Sequence, residues 1–266
     1  MRRAMHGPDP DIASTAALIG DSSRALILSA LASGCPLPAG ELARLARISP
    51  QTASNHLDKL FKGNLLSVEI HGRHHYYRLR DSRVAALLES LSLVARPFEP
   101  LTNTQRESTR RLRFARTCYG HLAGHLGVAI TEALCAKGLL HDDEAMYKVT
   151  RTGEVWFRQF GIEITAMSTR PVARRCLDWS ERRHHLAGSL GVALNRRMME
   201  LRWLSNVRES RALRLTERGK IELRSTFDLS FGDEKQPIDR VWARSTSSPI
   251  ASGPRSKEFA ALRYER

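Results

Sequence analysis

The sequence predicts a mainly α-helical chain with small β-hairpin wings, and three observations carry that prediction. Between Glu41 and Leu79, two short amphipathic segments are followed by two strand-like runs around a glycine tip. The segment HLAGHLGVAI at 121–130 returns as HLAGSLGVAL at 185–194, a shift of 64 residues. Each copy is followed by an echo of Gly63-Asn-Leu-Leu66 and Tyr76-Tyr-Arg-Leu79, the pattern that closes the first region. The architecture expected is an N-terminal winged helix followed by two degenerate winged-helix-like repeats.

Residues 1–10 are polar and bear Pro and Gly, the composition of a disordered N-terminus. Apolar helices are expected over 11–19 and 22–32, then a turn through Gly34 to Pro38. A helix from about Pro38 to Ala46 turns Leu42 and Leu45 inward. Ser49 has the properties of an N-cap and Pro50 those of a first helical residue, where a missing N–H costs nothing. In the helix that follows, Ala53, Leu57 and Leu60 recur at i, i+4 and i+7 as a buried stripe. Gln51, Thr52, Ser54, Asn55, His56 and Lys59 then lie off that stripe. Amides of this kind pair with adenine edges in a major groove, and hydroxyls and Lys reach bases or phosphates. After Gly63, strands over 65–70 and 74–79 close at His71, Gly72 and Arg73 as a wing. Arg73, His74 and Arg78 supply donors for phosphates or a minor groove. Asp81 or Ser82 caps a last helix whose Val84, Leu87, Leu88, Leu91 and Val94 share a face.

Taken together, Leu18 to Leu93 resembles the ArsR/SmtB winged-helix repressors of bacteria. The matching pieces are Asp21-Ser22-Ser23-Arg24 with Ile27 and Leu28, and Glu41-Leu42-Ala43. Ser49-x-x-Thr52-Ala53-Ser54-x-His56-Leu57-x-x-Leu60, Gly63-x-Leu65-Leu66 and Tyr76-Tyr77-x-Leu79 complete them. The resemblance implies a sequence-specific regulator of double-stranded operator DNA. It also implies a homodimer joined by the first and last helices of the domain, which suits a palindromic site.

Composition agrees with a polyanionic partner. Lys and Arg number 42 against 28 Asp and Glu, a net charge of +14. Residues 1–95 hold 11 basic and 8 acidic side chains, and 96–231 hold 24 and 15, so most of the excess lies beyond the winged helix. Four unpaired cysteines suit a reducing compartment. No run of about 18 apolar residues exists to span a membrane. The expectation is a cytoplasmic protein with no membrane partner.

The domain reading is 11–95 for the DNA-binding and dimerisation domain, and 96–103 for a proline-bearing linker. A C-terminal domain over 104–231 holds related units at about 115–165 and 176–231, and 232–266 reads as a flexible tail. Each unit reads as helix, helix, short strand, turn and helix, with Gly124, Gly127, Gly188 and Gly191 inside helical periodicity. Neither unit has a Ser-capped polar helix like the one at Ser49, which favours interaction or sensing there over base readout.

Members of the resembled family commonly respond to metals or to thiol chemistry. Their usual sites are absent here, since 41–46 has no cysteine and Arg83 follows Asp81 where a histidine is expected. The second half offers Cys118, His121 and His125 on one expected helical face, and Cys176, Asp178 and His185 in the second unit. Packed face to face, these residues would suit zinc, cadmium or nickel. A thiol-redox switch and a small organic effector remain open, as does a winged-helix protein-interaction scaffold without specific DNA binding. No Gly-rich phosphate loop, nucleophile elbow or HExxH sequence points to an enzyme.

Overall fold

The computed structural model describes residues 10–232, apart from 72–73, 97–98, 101, 166 and 168–171. The expected disordered N-terminus and flexible tail, and the wing-tip residue Arg73, fall outside the described residues.

The first region is built on well-capped helices. Helices α1 (Ile12–Ile19) and α2 (Ser22–Leu31) start at Asp11 and Asp21, whose carboxylates accept from Ser14 N and Arg24 N. Strand β1 (Leu37–Pro38) leads into α3 (Ala39–Ala46), which ends where Arg47 turns left-handed at φ 55°. Helix α4 (Pro50–Lys62) begins as the sequence predicts, with Ser49 accepting from Thr52 N and Pro50 at its first position. Strands β2 (Leu66–His71) and β3 (His74–Leu79) form the wing, and β1 joins β3 to complete an antiparallel sheet ordered β1-β3-β2. Helix α5 (Ser82–Val94) is capped by Asp81. Ile27, Leu28, Leu31, Leu42, Leu57, Leu60, Leu66 and Leu79 form the core of this region, all fully buried. Each such side chain contributes about 1.5–3 kcal/mol of hydrophobic free energy.

Helix α6 (Asn103–Phe114), opened by a Thr102–Gln105 capping box, leads into the second half. There one order of elements occurs twice. The first round is β4 (Arg116–Cys118), β5 (His121–Ala123), α7 (His125–Ala136), β6 (Leu140–Asp142), β7 (Tyr147–Val149) and α8 (Arg151–Gln159). The second is β8 (Arg174–Leu177), β9 (His184–Ala187), α9 (Gly188–Glu200), β10 (Leu204–Asn206), β11 (Leu213–Leu215) and α10 (Glu217–Phe227). Each round is hairpin, helix, hairpin, helix.

This corrects the expected helix-first order. His121 to Ala123 and His185 to Ala187 are strands, and Cys118 lies on the strand before them. Gly124 and Gly188 stand at the strand-to-helix corner with φ of 82° and 79°, outside helical geometry. A side chain at Gly188 would also lie 2.5 Å from Val172 O. Gly127 and Gly191 are helical, and their missing Cβ atoms let α7 and α9 close on the preceding strands at Leu122 O and Leu186 O.

The two rounds interlock. Helix α9 packs on β5 and α7 packs on β9, so each helix covers the other round's hairpin. Thr131 of α7 accepts from Leu186 N of β9 at 2.9 Å, and Asn195 of α9 donates to Gly120 O at 2.8 Å. Among the described residues no helix is long and apolar enough to cross a membrane.

Candidate functional site

On α4 the stripe Ala53, Leu57 and Leu60 is fully buried, while Gln51, Thr52, Ser54, Asn55 and Lys59 are exposed. Ser49, also exposed, holds Thr52 through both its backbone N and its hydroxyl, at 3.1 and 2.8 Å. One wet polar face therefore stands opposite one dry face. His56 departs from the set. Its side chain is 15% exposed, and Nδ1 sits 3.4 Å from Arg24 Nη1 and 3.9 Å from an Asp21 oxygen. It faces the start of α2. In the wing, Arg78 pairs with Glu69 at 2.7 Å, which leaves it half-buried along the hairpin. His74 pairs in register with His71 at the end of the hairpin.

A second constellation lies between the first hairpins of the two rounds. Cys118 stands opposite His121 across β4–β5, and Cys176 opposite His185 across β8–β9. The donor atoms of these four residues all lie within 4.8 Å of one another. The two Nε2 atoms of His121 and His185 are 3.0 Å apart. Cys118, His121 and His185 are buried and Cys176 is partly so. The expected i, i+3, i+7 helical face is therefore replaced by cross-strand pairing, which brings opposed side chains about 4.5–5.5 Å apart at Cβ.

The remaining expected ligands go elsewhere. His125 opens α7 and bonds Glu181 at 3.1 Å, because the strand-to-helix corner at Gly124 carries it away from the cluster. Asp178 stands behind the donors, with one oxygen 3.3 Å from Nδ1 of His185. The same carboxylate accepts from Gly124 N at 2.6 Å and from Ser180 N and Oγ at 2.9 and 2.7 Å. It also pairs with Arg116 at 3.0 Å. This arrangement orients His185 so that Nε2 faces the cluster. Burial would raise the Asp178 pKa, but His185, Arg116 and Ser180 outweigh it and hold the carboxyl far below its usual range.

Arg116 was not legible as a functional residue in the sequence. It is fully buried, lies over the Trp179 ring at 4.5 Å, and approaches Glu89 of α5 at 3.8 Å. Arg211 meets the same Glu89 at 3.3 Å. A buried charged network thus runs from the cluster to the last helix of the winged helix.

The donor set fits a transition metal. Tetrahedral bonds of about 2.0–2.3 Å to nitrogen and sulfur place donors roughly 3.3–3.8 Å apart; the two imidazole nitrogens stand at 3.0 Å and all four donors lie within 4.8 Å. Two thiols and two imidazoles suit zinc, cadmium or nickel. The Cys118 thiol, hydrogen-bonded to Cys176 and buried, is pushed up to about 12. It is therefore a protonated thiol at neutral pH, and binding a cation would release that proton. A cavity of about 1030 Å3 between α5 and α9 has Cys118, His121 and Cys176 in its wall, which gives small solutes a route to the donors.

A helix-turn-helix domain model matches residues 19–69. An uncharacterized HTH-type transcriptional regulator of Bacillus subtilis (strain 168), YdfF, is 46% identical over 215 residues, spanning 80% of this chain and 95% of that protein. The chain belongs to the HTH-type transcriptional regulators. Because the match covers 215 residues, the regulator shares with this relative much of its second half as well as the winged helix. Solved structures similar to its first third include NolR from Sinorhizobium fredii (27% identity, 34% of this chain and 96% of that one, TM-score 0.30). Another is the cadmium metal-sensor CMTR from Mycobacterium tuberculosis (29% identity, 34% and 97%, TM-score 0.28).

Proposed function

We propose that the regulator is a cytoplasmic homodimeric repressor that binds operator DNA through α4 and the β2–β3 wing. Its DNA affinity is set by zinc, cadmium or nickel held by Cys118, His121, Cys176 and His185. The observation that carries the metal assignment is the convergence of four soft and borderline donors within 4.8 Å, drawn from two hairpins far apart in sequence. A bound cation would supply a cross-link between those hairpins. Asp178 is a positioning residue rather than a ligand, and His125 lies outside the site.

The dimer reading rests on α5, which has two faces. Val84, Ala85 and Glu89 are buried, whereas Leu87, Leu91 and Val94 are 37%, 39% and 82% exposed at i, i+4 and i+7. On the first two helices Ile12 and Leu26 are also exposed. An apolar stripe of this kind on a terminal helix suits a two-fold contact with a second copy. In such a dimer Gln51, Thr52, Ser54, Asn55 and Lys59 would read bases and phosphates, with Ser49, Arg73, His74 and Arg78 on the backbone.

The test is fluorescence anisotropy on a duplex taken from upstream of the regulator's own gene, titrated with salt, for metal-stripped protein and for protein given each metal. The expected result is a steep salt slope and affinity lost with one metal. Tight binding unchanged by all three would remove the metal from the reading and leave DNA binding intact. Leu91→Glu should convert a sedimenting dimer to monomer. A dimer that survives the change would refute the α5 interface.

A further inference from the structure

The turn between Cys118 and His121 does more than close a hairpin. Its two residues, Tyr119 and Gly120, both have positive φ, 49° and 90°. A bulky residue in that region is strained unless its surroundings hold it there. What holds it is the winged helix. Tyr119 N donates to Ala32 O at 2.6 Å and Gly120 N to Ser33 O at 3.0 Å, immediately past the end of α2. The Tyr119 side chain packs against the winged-helix core. Gly34 makes the approach possible, because a Cβ there would stand 2.7 Å from Gly120 N and 2.8 Å from Tyr119 C. From the other side Asn195 of α9 holds Gly120 O. The turn is thus clamped between α9 and α2, with a candidate ligand on each flank.

Helix α2 then connects that clamp to α4. It is 10 residues long, about 15 Å from end to end at 1.5 Å per residue. Its far end carries Asp21 and Arg24, the two residues that meet His56 of α4. Between them Ile27, Leu28 and Leu31 pack in the same fully buried core as Leu57 and Leu60. A helix seated in a close-packed core shifts as a body rather than bending locally.

We propose that the docked turn Tyr119–Gly120 and helix α2 form the lever by which the Cys118/His121/Cys176/His185 site controls the recognition helix, with His56 as the receiving residue. This rests on the metal reading above. His56 is then a positioning residue for α4 and makes no base contact. The required element is a body whose placement both sites bias, and α2 touches both.

The test uses full-length protein with cobalt(II) as a spectroscopic probe and zinc as effector. Wild type should show thiolate-to-cobalt absorption that Cys118→Ser removes, and zinc should change amide exchange in 22–34 and in 50–62. Gly34→Ala places a methyl group against Gly120 N and, because Gly34 has φ 86°, also strains the backbone just past α2, while changing no donor side chain. It should keep cobalt binding and lose the zinc response in 50–62, and the effect of zinc on DNA affinity, about 5- to 150-fold for a coupling of ordinary size, should fall toward one. Cobalt binding with no exchange change in 22–62 of wild type would overturn the lever, as would a full zinc response in Gly34→Ala. The wild-type exchange measurement decides the question even if Gly34→Ala fails to fold. Absence of thiolate–cobalt absorption in wild type would instead overturn the metal reading, and this inference with it.

Discussion

Helices α4 and α7 are nearly equal in length, 13 and 12 residues, yet they are buried very differently. Helix α4 is capped by a serine side chain and buries three residues on one stripe. Helix α7 starts at a glycine with no side-chain cap and buries seven, among them Leu126, Val128, Ile130 and Leu134. The first can lay its polar face in a groove because, among the described residues, that face stays exposed. The second is enclosed by β5, β9, α6 and α10, so it has no face left with which to read a base. Burial therefore separates what composition alone does not: residues 96–231 carry +9 of the formal charge, yet α7, the most enclosed helix there, has no such polar face.

This contrast can be broken at several points. The largest effect should come from the dry half's buried charges. Arg116→Met leaves Glu89 and Asp178 short of a buried partner and should lower unfolding free energy by about 3–5 kcal/mol, read by urea denaturation. Next comes Leu126→Ala on α7, expected to cost about 2–5 kcal/mol of stability through lost burial and a residual cavity. Were thermal denaturation to show Leu126→Ala as stable as wild type, the enclosure of α7 would be refuted. On the wet helix the sign of the contrast reverses. Asn55→Ala should leave the melting temperature unchanged and weaken specific DNA binding by about 1–3 kcal/mol, and an unaltered binding curve would remove Asn55 from the reading face. The smallest effect is Ser49→Ala, a loss of about 1 kcal/mol from the cap alone, visible as a shift in the urea midpoint.

Much of the first region could be read from short-range signals. The cap at Ser49, the proline after it, the stripe Ala53, Leu57 and Leu60, and the two strands around Gly72 each depend on neighbours a few residues away. The four candidate ligands were also named from residue type, and the 64-residue repeat that relates His121 to His185 was visible in the sequence. Their geometry was not. The apolar segment Leu122 to Ala133 suits a helix, and the expectation extended that helix back over His121 and Cys118. The left-handed glycine at 124 instead separates strand from helix, and that boundary sends His125 to Glu181 and turns His121 toward His185.

By itself, then, the sequence determined which segments fold locally, which helix carries a polar face opposite a buried stripe, and which residue types are available to a metal. Only the tertiary structure decided that the donors converge from two hairpins, that Asp178 stands behind them rather than among them, and that Arg116 and Glu89 are buried together. It also decided that His56 turns from the reading face to α2 and that the Tyr119–Gly120 turn seats on Ala32 and Ser33. The physical reason is range. Caps and periodicity are set by contacts within a turn or two of chain, whereas these pairings join residues tens of positions apart, whose meeting depends on how the two rounds pack.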